Sequence, residues 1–239
     1  TGLGTLTDCV VAIKYHVFDK KNTTIEELLE AFRNNFEGKY EKLRQILLYK
    51  TPKYGNDDDY ADTIAEALVD AYIEVLDGRP NTRTGKYRVN LLPTTVHIYF
   101  GKVCGATPNG RKAGEPISEG VSPSQGADTH GPTAVIKSVA KWDHARTGGT
   151  LLNMKFSPRS LKTEEDTDKL AHLIRVFFRL GGHHIQFNVL NADMLRDAQK
   201  HPDRYRNLLV RVAGYSDYFL NLSEELQNEI ISRKEHETL

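Results

Sequence analysis

The chain has 239 residues, a length typical of one large domain or two small ones. Hydrophobic residues make up 39% of it and charged residues 27%, which indicates a globular fold and excludes disordered and fibrous classes. Lys and Arg together number 32, as do Asp and Glu, so no overall basic charge favours nucleic acid or anionic lipid as a partner. The apolar runs are too short for a membrane helix. Cys9 and Cys104, the two cysteines, exclude a disulfide framework and are typical of a reducing, cytoplasmic location.

The N-terminus predicts that the chain begins inside a longer protein. Thr1 stands where an initiator Met is expected, and no basic segment with an apolar stretch follows it, so a signal peptide is not indicated.

Helical patterns dominate the first third of the sequence. Thr23 and Thr24 precede two glutamates at capping-box spacing, and apolar residues then recur with helical periodicity, which predicts a helix over 24–49. A second helix is predicted from Asp58 to Leu76, with Gly78 beyond its end.

A strand and a long loop are expected next. The β-branched and aromatic run 95–100 predicts a strand entered through Pro93. Residues 101–150 contain nine of the 18 glycines and four of the nine prolines, a loop composition, in which Pro132 is placed to open a short helix. Ordered loops of such length are usually functional.

Strands and helices then alternate, which favours parallel pairing in an α/β fold. The predicted order is strand 149–156, helix 164–180, strand 184–190, helix 192–200, strand 207–213, a turn at Gly214 and a last helix opening at Ser223.

Two groups of potential metal ligands have simpler explanations. Asp57-Asp58-Asp59 stands at a predicted helix start, where carboxylates stabilise the helix dipole. His183 and His184 are neighbours in or beside a strand, so their side chains diverge and one metal ion would not readily take both. We therefore expect no metal site.

One C-terminal segment suggests chemistry of its own. By pattern alone, residues 208–216 form a strand that ends in a turn glycine. Within them, however, Arg211-Val212-Ala213-Gly214-Tyr215-Ser216 resembles the radical-bearing motif of the glycyl radical enzymes, a family that includes pyruvate formate-lyase. In that family the glycine Cα, here Gly214, stores a protein radical.

The resemblance extends over nearly the whole chain, since several other segments are similar to landmarks of the family in the same order. These segments are Lys53–Tyr60, Gly105–Arg111, Gly131–Ala134, Gly149–Phe156 and Gly182–Asn188. Asn109 stands where the family most often has Asp. Residues 92–97 and 118–126 look most like the branch that includes trans-4-hydroxy-L-proline dehydratase and glycerol dehydratase.

The resemblance implies a cofactor made from the protein itself, a glycyl radical at Gly214, with no bound metal or organic cofactor in this chain. A separate activating enzyme, which uses S-adenosylmethionine and an iron–sulfur cluster, removes the hydrogen atom from the glycine. The radical then passes to a cysteine thiol, and the thiyl takes a hydrogen atom from a small-molecule substrate. We expect the full enzyme to be a homodimer and Gly214 to be buried in it, away from oxygen.

The thiyl cysteine is not expected in this chain. In the dehydratase branch it lies in Gly-Cys-Val-Glu, whereas Cys9 lies in Thr-Asp-Cys-Val-Val and Cys104 also lacks that setting. The chain thus resembles about the C-terminal third of an enzyme, a share consistent with ordinary domain sizes, and alone it should not turn over substrate.

The family fold is a ten-stranded α/β barrel, of which this chain would supply the C-terminal part. We expect residues 1–112 to belong to the barrel domain and residues 113–239 to form the glycine radical domain. The strand predicted after Pro93 corresponds to a family position that faces the active site, which makes Thr94, Thr95 and His97 candidates for the substrate pocket. Alternation places Thr94 and Val96 on one face and Thr95 and His97 on the other, so only one pair can face the substrate, and we favour Thr94 with Val96.

The predicted function is that of a radical dehydratase or lyase that eliminates water, or a similar group, from a small hydroxylated substrate such as 4-hydroxyproline. Two alternatives stay open. One is acyl transfer of the formate C-acetyltransferase type. The other is a non-catalytic module that supplies a fresh glycine to an oxygen-damaged partner.

Overall fold

The computed structural model describes residues 1–92 and 94–238 of the chain. Helices fill its first half, and short strands appear only after residue 150 apart from isolated bridges. The helices are α1 Leu3–Ile13, α2 Ile25–Arg33, α3 Glu41–Tyr49, α4 Asp59–Leu76, α5 Val96–Val103, α6 Pro132–Val139, α7 Glu164–Arg179, α8 Ala192–Lys200 and α9 Glu224–Ser232. The strands are β1 Leu152–Phe156, β2 Ile185–Val189, β3 Leu209–Arg211, β4 Ser216–Tyr218 and β5 Glu235–His236.

Two small sheets organise the second half. The first has the strand order β2-β1-β5, and both of its pairings are parallel, as the alternation of strands and helices predicted. The second is the antiparallel hairpin β3-β4. This is a mixed α/β arrangement, and a ten-stranded barrel is not visible in the described residues.

The predicted helix over 24–49 is wrong as a single element. It begins as expected, because the Thr24 side chain accepts a hydrogen bond from the Glu27 N–H at 3.1 Å. It then ends at Arg33, and α3 starts eight residues later. Asn35 and Phe36 between them have φ values of 49° and 60°, and the fully buried Phe36 packs in a cluster with side chains of both helices. Burial of this aromatic side chain outweighs the continuous helical pattern.

The predicted strand over 95–100 is also wrong, since these residues belong to helix α5. His97 and Gly101, four residues apart, are the buried positions on its inner face. A Cβ on Gly101 would lie 2.3 Å from the Glu115 carbonyl oxygen, so the loop packs directly against the helix backbone. Tertiary packing thus overrides the β-propensity of the sequence. Pro93, the predicted entry, lies outside the described residues.

The remaining elements match their predictions within a few residues at each end. Pro132 opens α6, Ser223 caps α9, and the Asp58 side chain accepts the Tyr60 N–H at 2.9 Å to cap α4. Asp57 and Asp59 form ion pairs with Lys141 at 3.1 and 2.7 Å. The helix-start interpretation of the three aspartates is therefore confirmed.

The main hydrophobic cluster joins both halves of the chain. Val69 of α4 and Tyr54 pack in it with Ile136 of α6, Phe156 of β1 and Phe177 of α7. The domain boundary expected after residue 112 stays a prediction. Within residues 1–92 and 94–238, no helix combines the length and the apolar character that a membrane crossing requires.

Candidate functional site: a glycine at the tip of a hairpin

Gly214 lies at the tip of the β3-β4 hairpin. Arg211 is paired with Ser216, and the Val212 N–H donates to the Tyr215 carbonyl at 2.9 Å, which leaves Ala213 and Gly214 as the two turn residues. Gly214 has φ = 81°, a left-handed value that glycine adopts without steric cost. The turn predicted at this glycine is confirmed.

Packing does not explain the glycine. Gly214 is exposed in this chain, and a Cβ built on it would meet no atom within 4 Å. Its positive φ favours glycine over alanine by only about 1–2 kcal/mol. The burial expected for the assembled enzyme is not seen in this chain and stays a prediction about the longer protein.

The neighbours of Gly214 differ sharply in burial. Val212 and Ala213, on its N-terminal side, are 0% and 3% exposed, whereas Tyr215 and Ser216, on its C-terminal side, are exposed. The Arg211 guanidinium donates to the Ser216 hydroxyl at 3.1 Å across the hairpin. Only the N-terminal side of the turn is embedded in the protein.

Two side chains of strand β2 are hydrogen-bonded to the N-terminal side of the turn. Gln186 Oε1 accepts the Gly214 N–H at 3.1 Å, and Gln186 Nε2 lies 3.4 Å from the Val212 carbonyl oxygen, to which it donates. Asn188 Nδ2 donates to the Arg211 carbonyl at 2.7 Å, and Asn188 Oδ1 accepts the Arg211 N–H at 2.8 Å. Residues two apart on a strand share a face, so β2 presents both amides to the hairpin.

A buried ion pair supports the same segment. The Arg233 guanidinium at the end of α9 binds the Glu229 carboxylate, with Nη2 to Oε2 at 2.8 Å. Its Nη1 donates to the Val212 carbonyl at 3.0 Å. Burial raises the pKa of Glu229, but the charge of Arg233 outweighs burial, so the pKa lies well below its usual range. The pair is therefore ionised, as a buried pair with several hydrogen bonds can be.

The polar cluster continues away from the hairpin. His97 Nε2 of α5 lies 3.6 Å from Glu229 Oε2, just beyond hydrogen-bond distance, and both side chains are fully buried. Glu119, in the long loop, accepts a hydrogen bond from the Ser122 hydroxyl. Burial raises the pKa of Glu119, although the charge of Arg233 opposes this. The cluster thus contains groups from the loop, α5 and α9.

The sequence patterns did not predict these supporting residues. Gln186 and Asn188 lie in the family-like segment Gly182–Asn188, and their spacing on a predicted strand was a usable signal, but no role followed from it. Arg233 and Glu229 lie four residues apart on the last helix, a spacing that ordinarily indicates a surface ion pair. Their connection to Val212 depends on how α9 packs, which no local pattern reveals.

The candidate substrate residues lie at the start of α5 rather than on a strand. Thr94 is exposed, and Val96 is 41% exposed. The alternation argument that paired them is therefore wrong, and their role stays a prediction. Neither residue lines the cavity of about 590 Å³ that lies among Lys53, Asn56 and Asn109, and that cavity does not include the hairpin.

The two cysteines have contrasting surroundings. Cys9, within α1, is buried, and burial raises the pKa of its thiol to about 11, so the reactive thiolate is scarce at neutral pH. Cys104, just after α5, is exposed. The described residues contain no group of three or more His, Cys, Asp or Glu side chains that could hold a metal ion.

Comparison with known families matches the two parts of the chain separately. The family described as "Glycine radical" matches residues 117–220, and the family described as "Pyruvate formate lyase-like" matches residues 1–101.

Individual relatives agree with these family matches. The chain is 56% identical to trans-4-hydroxy-L-proline dehydratase of Clostridioides difficile, over 98% of this chain and 30% of that protein. It is 45% identical to isethionate sulfite-lyase of Oleidesulfovibrio alaskensis, over 100% of this chain and 29% of that protein.

Solved structures give the same result. The fold superposes with a TM-score of 0.96 on hydroxyproline dehydratase from Clostridioides difficile with trans-4-hydroxy-L-proline bound, at 56% identity, and covers 99% of this chain and 30% of that one. For the B12-independent glycerol dehydratase from Clostridium butyricum the TM-score is 0.94 at 42% identity, with coverage of 99% and 30%. The chain spans less than a third of the length of these relatives. It belongs to the glycyl radical enzyme family and contains the C-terminal portion with the glycine radical domain.

Proposed function

We propose that this chain is part of a longer glycyl radical dehydratase and that Gly214 is its radical-storage residue. The observation that carries the proposal is the position of Gly214 at the tip of the hairpin, within the motif Arg211–Ser216. Close packing does not require a glycine there, and the Gly214 N–H donates a hydrogen bond to Gln186. A radical-storage residue suits glycine because, without a side chain, its Cα can become planar without steric cost. Loss of a Cα hydrogen gives a carbon radical that the two adjacent peptide groups can delocalise.

The relatives support a proposal for the substrate class. Identity of 56% to a trans-4-hydroxy-L-proline dehydratase favours elimination of water from a small hydroxylated substrate, with 4-hydroxyproline as the first candidate. In the full enzyme, which we propose is a homodimer, a cysteine outside this chain would carry the thiyl radical and take the hydrogen atom from substrate. Thr94 and Val96 are the proposed substrate contacts from this chain, and their exposure leaves them free to face the rest of the enzyme.

The reaction partner for activation would be a radical S-adenosylmethionine enzyme. From S-adenosylmethionine and an iron–sulfur cluster, that enzyme would supply an adenosyl radical that takes one hydrogen atom from the Gly214 Cα and would leave the glycyl radical on this chain.

The test is anaerobic activation of the intact protein, followed by electron paramagnetic resonance and then exposure to air. We expect a glycyl radical signal and, after air, backbone cleavage at Gly214 that gives a C-terminal piece beginning at residue 215 on a denaturing gel. Gly214→Ala should abolish both. A full signal without that cleavage, or a signal that survives in Gly214→Ala, would contradict the proposal.

A matched control is available at Gly181. This residue is also exposed, has φ = 97° and has no atom within 4 Å of the place that a Cβ would occupy, so Gly181→Ala changes the same kind of site elsewhere. It should keep the full signal and the cleavage. Consumption of trans-4-hydroxy-L-proline by the activated protein, measured beside glycerol, tests the substrate class independently of the radical.

A further inference from the structure

On its N-terminal side, Gly214 is hydrogen-bonded to a buried side chain of strand β2. Its N–H donates to Gln186 Oε1 at 3.1 Å, and the Gln186 side chain is buried, with its amide also donating to the Asn153 Oδ1 and Val212 carbonyl oxygens. The peptide group that joins Ala213 to Gly214 is therefore held in place. Beyond Gly214, Tyr215 and Ser216 are exposed.

The orientation of that peptide group matters for a radical on Gly214. Loss of the hydrogen atom leaves a planar Cα, whose half-filled p orbital overlaps a neighbouring peptide π system only when the two are nearly parallel. Rotation about the N–Cα bond sets this overlap on the N-terminal side. That rotation is the angle between the plane of the preceding peptide group and the plane of the radical Cα. A hydrogen bond that fixes the Gly214 N–H fixes the first of these two planes.

From this geometry we propose that Gln186 is a positioning residue for the radical. Its amide oxygen fixes the peptide plane before Gly214, and its amide NH₂ secures the same turn through Val212. Gln186 neither donates nor receives the hydrogen atom, which passes from the Gly214 Cα to the activating enzyme's adenosyl radical. This inference rests on the proposed function, because it gives Gln186 a role only if Gly214 carries the radical.

The ion pair behind the turn supports the same assignment. Arg233 donates to the Val212 carbonyl at 3.0 Å, so two independent donors, from β2 and α9, converge on one carbonyl oxygen two residues before Gly214. A turn that needed only to reverse the chain would be complete with the Val212 to Tyr215 hydrogen bond at 2.9 Å. The additional hydrogen bonds from Gln186 and Arg233 therefore serve to orient the peptide groups of the turn.

Two substitutions at Gln186 test the role of its acceptor oxygen separately from that of its NH₂ donor. Gln186→Leu removes the acceptor for the Gly214 N–H while it keeps a buried side chain of similar size. Gln186→Glu keeps an oxygen acceptor at the same reach and loses the NH₂ donor. Asn191→Ala is the control. The Asn191 side chain caps α8 by accepting the Met194 N–H at 2.6 Å, so its removal lowers stability, and this side chain makes no hydrogen bond to the hairpin.

The readouts are the radical yield of the activated intact protein and the splitting of its resonance by the hydrogen that remains on the Gly214 Cα. We expect Gln186→Leu to lower the yield about fivefold, the equilibrium effect of one lost hydrogen bond, and to change the splitting. Gln186→Glu, which keeps the acceptor for the Gly214 N–H but loses the donor to Val212, should give a splitting closer to that of wild type than Gln186→Leu does. Asn191→Ala should match wild type in both readouts despite its lower unfolding temperature.

The outcomes distinguish the two proposals. If Gln186→Leu gives the same yield and splitting as Asn191→Ala, the positioning role is overturned and Gly214 keeps its assignment. If wild type gives no signal, or if Gly214→Ala retains it, the proposed function fails and the role of Gln186 fails with it. If Gln186→Leu does not fold, Gln186→Asn replaces it, since the shorter amide withdraws the acceptor by one methylene.

Discussion

The long loop 104–131 and the hairpin tip at 213–214 are both turns in the chain, yet Gly120 in the loop and Gly214 at the tip have opposite surroundings. In the loop, Gly120 has φ = 47°, and a Cβ on it would lie 2.2 Å from the Leu151 carbonyl oxygen. At the hairpin tip, a Cβ on Gly214 would meet nothing within 4 Å. The loop glycine gives the backbone room, whereas the hairpin glycine occupies open space. Close packing therefore accounts for Gly120 but not for Gly214.

The two regions also differ in how order is maintained. The loop lacks regular structure but buries Ser118, Glu119 and Val121, and Arg111 anchors it through hydrogen bonds to backbone carbonyls. The hairpin has a regular ladder, but only its N-terminal strand end is embedded. In this chain, the segments with regular hydrogen bonding are therefore not the ones that are most buried.

The largest effect is expected from Gly120→Ala. The added methyl group would force the loop away from Leu151, whose carbonyl accepts the Val121 N–H at 2.9 Å, and we expect a loss of about 3 kcal/mol or more. Urea unfolding of the intact protein measures it. Gly126→Ala, in the same loop with φ = 76° and open space around it, is the control and should cost only about 1–2 kcal/mol. Equal losses would mean that the close approach to Leu151 does not matter.

A smaller effect is expected from Arg111→Lys. The guanidinium donates to the Glu115 and Gly105 carbonyls and, through Nε, to the Thr107 hydroxyl at 3.2 Å. Lysine keeps the charge but lacks the planar set of donors, so we expect a loss of about 2 kcal/mol, seen as a lower unfolding midpoint. Arg33→Lys, on an exposed pair with Glu30, should be nearly neutral. A neutral result at Arg111 would show that the loop is held by its apolar contacts alone.

The smallest effect on folding is expected from substitutions at Gly214 itself. Gly214→Ala should cost about 1–2 kcal/mol, and Gly214→Asn less, because Asn tolerates a left-handed φ. Both should lose the radical signal completely. A folding cost for Gly214→Ala as large as that of Gly120→Ala would break the comparison, since packing would then account for the glycine.

Local sequence patterns predicted most of the second half of the fold. Pro132, Ser223 and the alternation of strands and helices act within a few residues of where they stand, so their signals are visible in the sequence. The failures have non-local causes. Phe36 interrupts a helix because it is buried by residues from other segments, and residues 95–100 form a helix because the loop packs on Gly101.

The residues of the candidate site also fall into those with a local signal in the sequence and those without one. The motif around Gly214 and its turn were accessible from the sequence, because a glycine at a strand end and a resemblance over six residues are both local. Arg233 was not, since its contact with Val212 requires α9 to return to the hairpin 21 residues further along the chain. Thr94 and Val96 were chosen for a strand that does not form, so their assignment stays a prediction from the family resemblance alone.

The anchoring of the C-terminal segment changes what an oxygen-damaged molecule would be. Beyond Gly214, strand β4 pairs with β3, Leu226 and Ile230 of α9 lie in a buried cluster with Val210, and β5 pairs with β1. A break at Gly214 would cut the polypeptide but leave these contacts in place. The damaged protein would then migrate as one particle under native conditions and as two pieces only after denaturation. Inactivation would leave a folded, nicked complex whose lost activity a native size measurement would not reveal.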